Sequence, residues 1–130
     1  MLALDASIAV AACLGRTGFE ELGREQFVAP PLMWSEARST LHELAWRGEI
    51  VAEDTLRART LLEKCPVERR EHEQLGEEAW RIADALGWAK TYDAEYLALA
   101  RLLGCRAVTL DARFRRGAAR TELVVSPGEL

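Results

Sequence analysis

Cysteine is scarce in this chain, and its spacing excludes two kinds of small fold. Cys13, Cys65 and Cys105 are three in 130 residues, an odd number with no CxxC pair and no Cys/His cluster. Neither a disulfide framework nor a zinc site fits that pattern. Cys13 and Cys105 lie in apolar runs and read as small buried hydrophobes, and a reducing cytoplasm is the simplest compartment expected. Long apolar runs are missing as well. No segment reaches the roughly 18 uninterrupted apolar residues of a membrane span. The opening "MLALDASIAVAACLG" has no basic leading segment and is broken by Asp5, which argues against a secretory signal. Histidine is limited to His42 and His72, both expected on polar helix faces, so neither is given a catalytic role. The formal net charge is −4, a mild acidic excess that does not by itself announce a nucleic-acid binder. Repeats, low-complexity tracts and linkers are also absent. One domain spanning 1–130 around a single core is expected.

What is present is an alternation of strand-like and helix-like segments. "LAL" (2–4) is a short apolar run ending at Asp5, and 7–15 reads as a helix closed by Gly15, with Asp5 or Ser7 as its cap. A short helix follows Thr17. "FVAP" (27–30) is a strand candidate, and Pro31 suits the first turn of a helix over 31–47, with Met33, Ala37, Leu41 and Leu44 on one stripe. Helices are expected over 52–65, 72–86 and 92–103, the last two stopped by Gly87 and Gly104. Strands are expected at "VERRE" (67–71), "RAVTL" (106–110) and "ELVV" (122–125), with a short basic helix between the last two. Strands alternating with helices argue for a central parallel sheet in a three-layer α/β/α sandwich.

In such sheets ligands bind beyond the carboxyl ends of the strands. Asp5 directly follows "LAL" and Asp111 directly follows "RAVTL", so both belong on one rim. Asp93 lies in the first turn of an almost wholly apolar helix, expected beside the core rather than out in water. Glu36 falls on the flank of the Met33/Ala37/Leu44 stripe, one turn into its helix. Glu43 shares that flank two turns deeper and ranks second. Singly, each acid could be a helix cap or a solvated side chain. Together in a cleft they repel and cannot all remain ionised cheaply without a cation. A hard divalent ion with oxygen ligands, Mg²⁺ or Mn²⁺, removes that cost. Thr109 points to the same strand face as Asp111 and could bond a carboxylate; Ser7 and Thr91 could do likewise, though a cap role suits Thr91 better.

These residues resemble a PIN domain, specifically the VapC-type toxin ribonucleases of bacterial toxin–antitoxin pairs. The resemblance is carried by "LALDASIAVA", by "PPLMWSEARSTL" around Glu36, and most specifically by "TYDAEYLALARLLGCRAVTLDARF". It implies a compact α/β/α fold, RNA as substrate, a cognate antitoxin, a homodimer, and a metal-dependent site of Asp5, Glu36, Asp93 and Asp111. The stretch from about 50 to 88 carries none of its motifs.

The chemistry expected is metal-assisted hydrolysis of a phosphodiester, with in-line water attack leaving a 5′-phosphate and a 3′-hydroxyl. Arg113, Arg115, Arg116 and Arg120 follow Asp111 and are candidate RNA contacts, weighed against a plain solvated face. Trp34, Trp46, Trp80 and Trp88 could stack bases, but core packing or a subunit interface suits them better. Two alternatives remain open. A receiver-type phosphoacceptor domain also gathers acids at strand ends, yet it needs an acidic pair after the first strand and a lysine after a late one. Asp5 has no acidic neighbour, and Lys64 and Lys90 do not follow strands. A catalytically idle PIN-like binding module is the other, and the full set of four acids argues against it. An Asp-x-Asp phosphatase motif is ruled out because Ser7 holds its second place.

Overall fold

Apolar triplets that need cover on both faces make the centre of the molecule. The computed structural model describes residues 1–130. Strands β1 (Leu2–Leu4), β2 (Phe27–Ala29), β3 (Val67–Arg69), β4 (Arg106–Val108) and β5 (Val124–Val125) form one sheet in the order β3-β2-β1-β4-β5. Every neighbouring pair is parallel. Helices α1 (Ala6–Leu14), α2 (Leu32–Trp46), α3 (Ala52–Glu63), α4 (Leu75–Leu86), α5 (Tyr92–Leu103) and α6 (Ala112–Gly117) complete an α/β sandwich. Helices α1, α2 and α3 pack on one another, α4 packs on α5, and α5 lies against β1 and β4. Thirty buried residues form one apolar cluster, with Leu4, Ile8, Val28, Met33, Leu97 and Val108 among them. No helix is long and apolar enough to cross a membrane.

Strand order sets where a ligand can enter. From β1 the chain first builds outward through β2 and β3, then returns to the other side of β1 for β4 and β5. The order therefore reverses between β1 and β4, and a crevice opens beyond their carboxyl ends. Register aligns the two strands there: Leu4 is opposite Val108, and the Asp5 N–H donates to the Val108 carbonyl.

Several boundaries differ from the sequence expectation, for local reasons. The helix expected over 72–86 begins at Leu75, because the Gln74 N–H is taken by His72 Nδ1 and the Leu75 N–H by the His72 carbonyl. The strand expected at 106–110 ends at Val108, where the Thr109 hydroxyl captures the Asp111 N–H and turns the chain. The last strand starts at Val124 rather than 122, since Glu122 turns through a left-handed φ of 59°. Thr17 and Thr91 cap nothing with their hydroxyls. Their ψ values of 0° and −3° are not the extended backbone a capping side chain requires. Asp5 and Asp111, with ψ of 172° and 108°, have that backbone and do cap.

Candidate functional site

Asp5 is fixed by three donors. Its Oδ1 accepts from Ser7 Oγ at 2.6 Å and from the Ile8 N–H at 3.2 Å, the second bond capping α1. Its Oδ2 accepts from Thr109 Oγ1 at 2.5 Å. The two hydroxyls are themselves anchored to the opposite corner, because Ser7 Oγ accepts the Leu110 N–H and Thr109 Oγ1 accepts the Asp111 N–H. The β1–α1 and β4–α6 corners are thus stitched through one buried carboxylate, 5% exposed. Burial raises the Asp5 pKa above its ordinary value; the bonds from Ser7, Thr109 and Ile8 oppose this, and the charge of Asp111 adds to it.

Glu36 comes from the second turn of α2 and is half-buried. Its Oε1 accepts from the Tyr96 hydroxyl at 2.6 Å. Tyr96 is buried on α5, and burial followed by the bond to Glu36 pushes its pKa far up, so it stays a donor. Asp111 caps α6 through Oδ1, which accepts the Arg113 and Phe114 N–H groups, while Oδ2 has no protein partner. Asp93 is the second residue of α5. It is exposed, not sheltered beside the core as the sequence suggests, because the first turn of α5 stands at the mouth of the crevice. Its carboxyl is nonetheless pushed up to about 6, first by partial desolvation and then by Glu36, Asp111 and Asp5, with Arg113 opposing. That coupling shows four carboxylates from four distant stretches acting on one another.

All four line one cleft of about 420 Å³, together with Ser7 and Tyr96. Glu36, Asp93 and Asp111 also form the shared wall of a second cleft of about 580 Å³. Glu43 lines neither; it pairs with Arg47 one turn along α2. His42 is exposed and His72 half-buried, and neither reaches the acids. The four arginines separate. Arg113 lines the larger cleft. Arg115 pairs with Glu129 and, with Arg116, borders a hollow beside Val124; Arg120 donates to the Ala85 carbonyl. None of these three lines either acidic cleft.

Two features escaped the sequence reading. Tyr96 looked like one more apolar residue of α5, although a buried tyrosine hydroxyl needs an acceptor, and its spacing of three from Asp93 puts it on the same helix side. Lys90 has no expected role and Trp88 is expected to serve packing rather than stacking, yet both line the larger cleft beside Tyr92.

The donor set fits a hard divalent cation. Every candidate ligand is a carboxylate oxygen, and neither cleft contains a histidine or cysteine. No three His, Cys, Asp or Glu side chains stand close enough together to hold a metal ion as they are placed.

A PIN domain profile matches residues 2–120. VapC ribonuclease Mb0985 of Mycobacterium bovis and ribonuclease VapC9 of Mycobacterium tuberculosis are each 36% identical to the chain over 129 residues, covering 98% of it and 99% of their own length. This chain belongs to the PIN domain family of VapC ribonucleases. It is accordingly a nuclease, a phosphodiester hydrolase. The fold recurs at lower identity in PAE2754 from Pyrobaculum aerophilum, with a TM-score of 0.75 at 23% identity over 98% of this chain and 90% of that one. A toxin–antitoxin complex from Klebsiella pneumoniae aligns with a TM-score of 0.70 at 18% identity, covering 98% of both chains.

Proposed function

We propose that this VapC-type nuclease is the toxin of a toxin–antitoxin pair and cleaves RNA by hydrolysis at a divalent-cation site held by Asp5, Glu36, Asp93 and Asp111. One observation carries the reading: four carboxylates from separate parts of the chain line a single cleft at the strand-order reversal. Mg²⁺ or Mn²⁺, when bound, supplies the Lewis acidity that makes water a competent nucleophile at neutral pH and offsets charge on the phosphate.

The chain's own residues do the rest. Ser7 and Thr109 hold Asp5 in one rotamer through both of its oxygens. Tyr96 holds Glu36 from the opposite helix. Asp93 and Asp111 accept no side-chain hydrogen bond, so either has an oxygen left to orient the attacking water and take its proton. In-line attack then breaks the bond from phosphorus to the 3′ oxygen, which leaves with the bonding pair and takes a proton from solvent, so the products are a 5′-phosphate and a 3′-hydroxyl.

The toxin role follows from the VapC relatives, and the Klebsiella pneumoniae complex supports an antitoxin partner. A homodimer is supported by the hairpin of α2 and α3, where Trp46 is 81% exposed and Val51 and Leu56 lie open nearby in sequence. Three free thiols suit a reducing cytoplasm. The test is incubation with transfer and ribosomal RNAs in Mg²⁺, with and without chelator. Cleavage that chelator abolishes supports the reading. Cleavage indifferent to chelator, or none of any RNA, rejects it.

A further inference from the structure

The larger cleft is not accounted for by the acids alone. Besides Glu36, Asp93 and Asp111 it is lined by the loop after α4, by Tyr92 at the start of α5 and by Arg113 on α6. Tyr92, 55% exposed, lines the cleft immediately before Asp93. Trp88 lies deeper, edge-on to Phe114 with ring centroids 6.1 Å apart at 76°, so its orientation is set by packing. Gly117 backs it: a β-carbon at that position would come within 3.2 Å of the Trp88 ring. Lys90 and Arg113 line the same cleft, and neither belongs to any ion pair of the chain. Two cations outside any ion pair, of which Arg113 is felt by Asp93, and an exposed tyrosine thus line the same cleft as three carboxylates. A ligand with both an anionic group and a flat π-face fits that combination. At about 580 Å³ the cleft has room for it, within the roughly 300–1,000 Å³ range of small-molecule sites.

Resting on the nuclease reading above, we propose that this cleft is a nucleotide subsite: Tyr92 stacks on the base next to the scissile phosphate, and Lys90 and Arg113 hold the neighbouring backbone phosphate. Stacking on an aromatic ring tolerates any base, so the subsite grips single-stranded RNA without reading its sequence. Arg115, Arg116 and Arg120 do not line this cleft and are outside it.

The experiment compares the full-length chain with Tyr92→Leu, Tyr92→Phe, Lys90→Gln and, as a remote control, Lys64→Gln. Steady-state cleavage of a fluorescein-labelled single-stranded RNA in Mg²⁺ gives kcat and KM. Fluorescence anisotropy with the same RNA on an Asp5→Asn background gives binding without turnover. Tyr92→Leu is expected to raise KM and Kd roughly tenfold with kcat retained, and Tyr92→Phe to stay within about twofold. Lys90→Gln should lower the salt dependence of binding by about one phosphate contact, and Lys64→Gln should change nothing. Should the Asp5→Asn background fail to fold, the KM series alone decides. Active enzyme with unchanged KM in both Tyr92→Leu and Lys90→Gln overturns the subsite and leaves the nuclease reading intact. A parent chain that neither cuts nor binds RNA overturns both. An effect of Tyr92→Leu on kcat alone also rejects the subsite, since it would place Tyr92 in the chemistry instead.

Discussion

Asp5 caps α1 with one oxygen and is locked by Thr109 through the other, so a structural bond and a candidate catalytic group share one carboxylate. Thr109→Val keeps the shape but strips a donor from Asp5 and an acceptor from the Asp111 N–H. Chemical denaturation should show a loss of about 1–3 kcal/mol for such orphaned groups, with cleavage reduced at least tenfold, and Thr109→Ser should restore both. Tyr96→Phe is expected to act differently. It removes a single hydroxyl, at about 0.5–1.5 kcal/mol of stability, while freeing Glu36 to swing, so the midpoint of Mg²⁺ activation should rise more than KM for RNA does. A shift in KM for RNA without any change in Mg²⁺ dependence would contradict the positioning role. Protonation gives a third test. Asp93 and Asp5 both have folded pKa values above their ordinary range, Asp93 at about 6. The folded state therefore binds protons more tightly than the unfolded one, and stability falls as pH rises through about 6. The metal-free protein should melt at a higher temperature at pH 5 than at pH 7.5, and added Mn²⁺ should narrow the gap. An acid-induced fall in melting temperature over that window would contradict it.

Helices and strands were legible where side-chain pattern and punctuation agreed. Helix α5 is the clearest case, with its apolar run ended by Gly104 in the left-handed region. The two carboxylates that follow β1 and β4 were legible for the same reason, since each directly ends a strand and opens a helix. Less legible were features set by backbone angle or by side-chain direction. Thr91 has the composition of a cap but a helical backbone, and the arginines after Asp111 share a sequence stretch yet diverge once α6 turns. Lys90 and Trp88 could be named but not placed from the sequence, because a loop has no periodicity to read. Gly87 opens that loop with φ of 71°, where a β-carbon is strained. Gly87→Ala is expected to cost about 1 kcal/mol in chemical denaturation and to raise KM for RNA by displacing Trp88 and Lys90. An unaltered denaturation midpoint would show that the turn relaxes without strain.

At the scale of the whole molecule, the sheet order does the decisive work. Placing β4 beside β1 brings residues more than a hundred positions apart into hydrogen-bond contact, and α2 and α5 add Glu36 and Asp93 from the flanks. Four acids lining one cleft with no cysteine or histidine among them are the oxygen ligands a hard cation takes, which is the reading proposed above. Calorimetric titration of Mn²⁺ into the intact chain and into Asp5→Asn, Glu36→Gln and Asp93→Asn tests this most directly, with circular dichroism confirming each variant's fold. The account predicts saturable binding by the parent and at least tenfold weaker binding by every folded variant. Equal affinity in the parent and all three variants, or no binding by the parent, would contradict it.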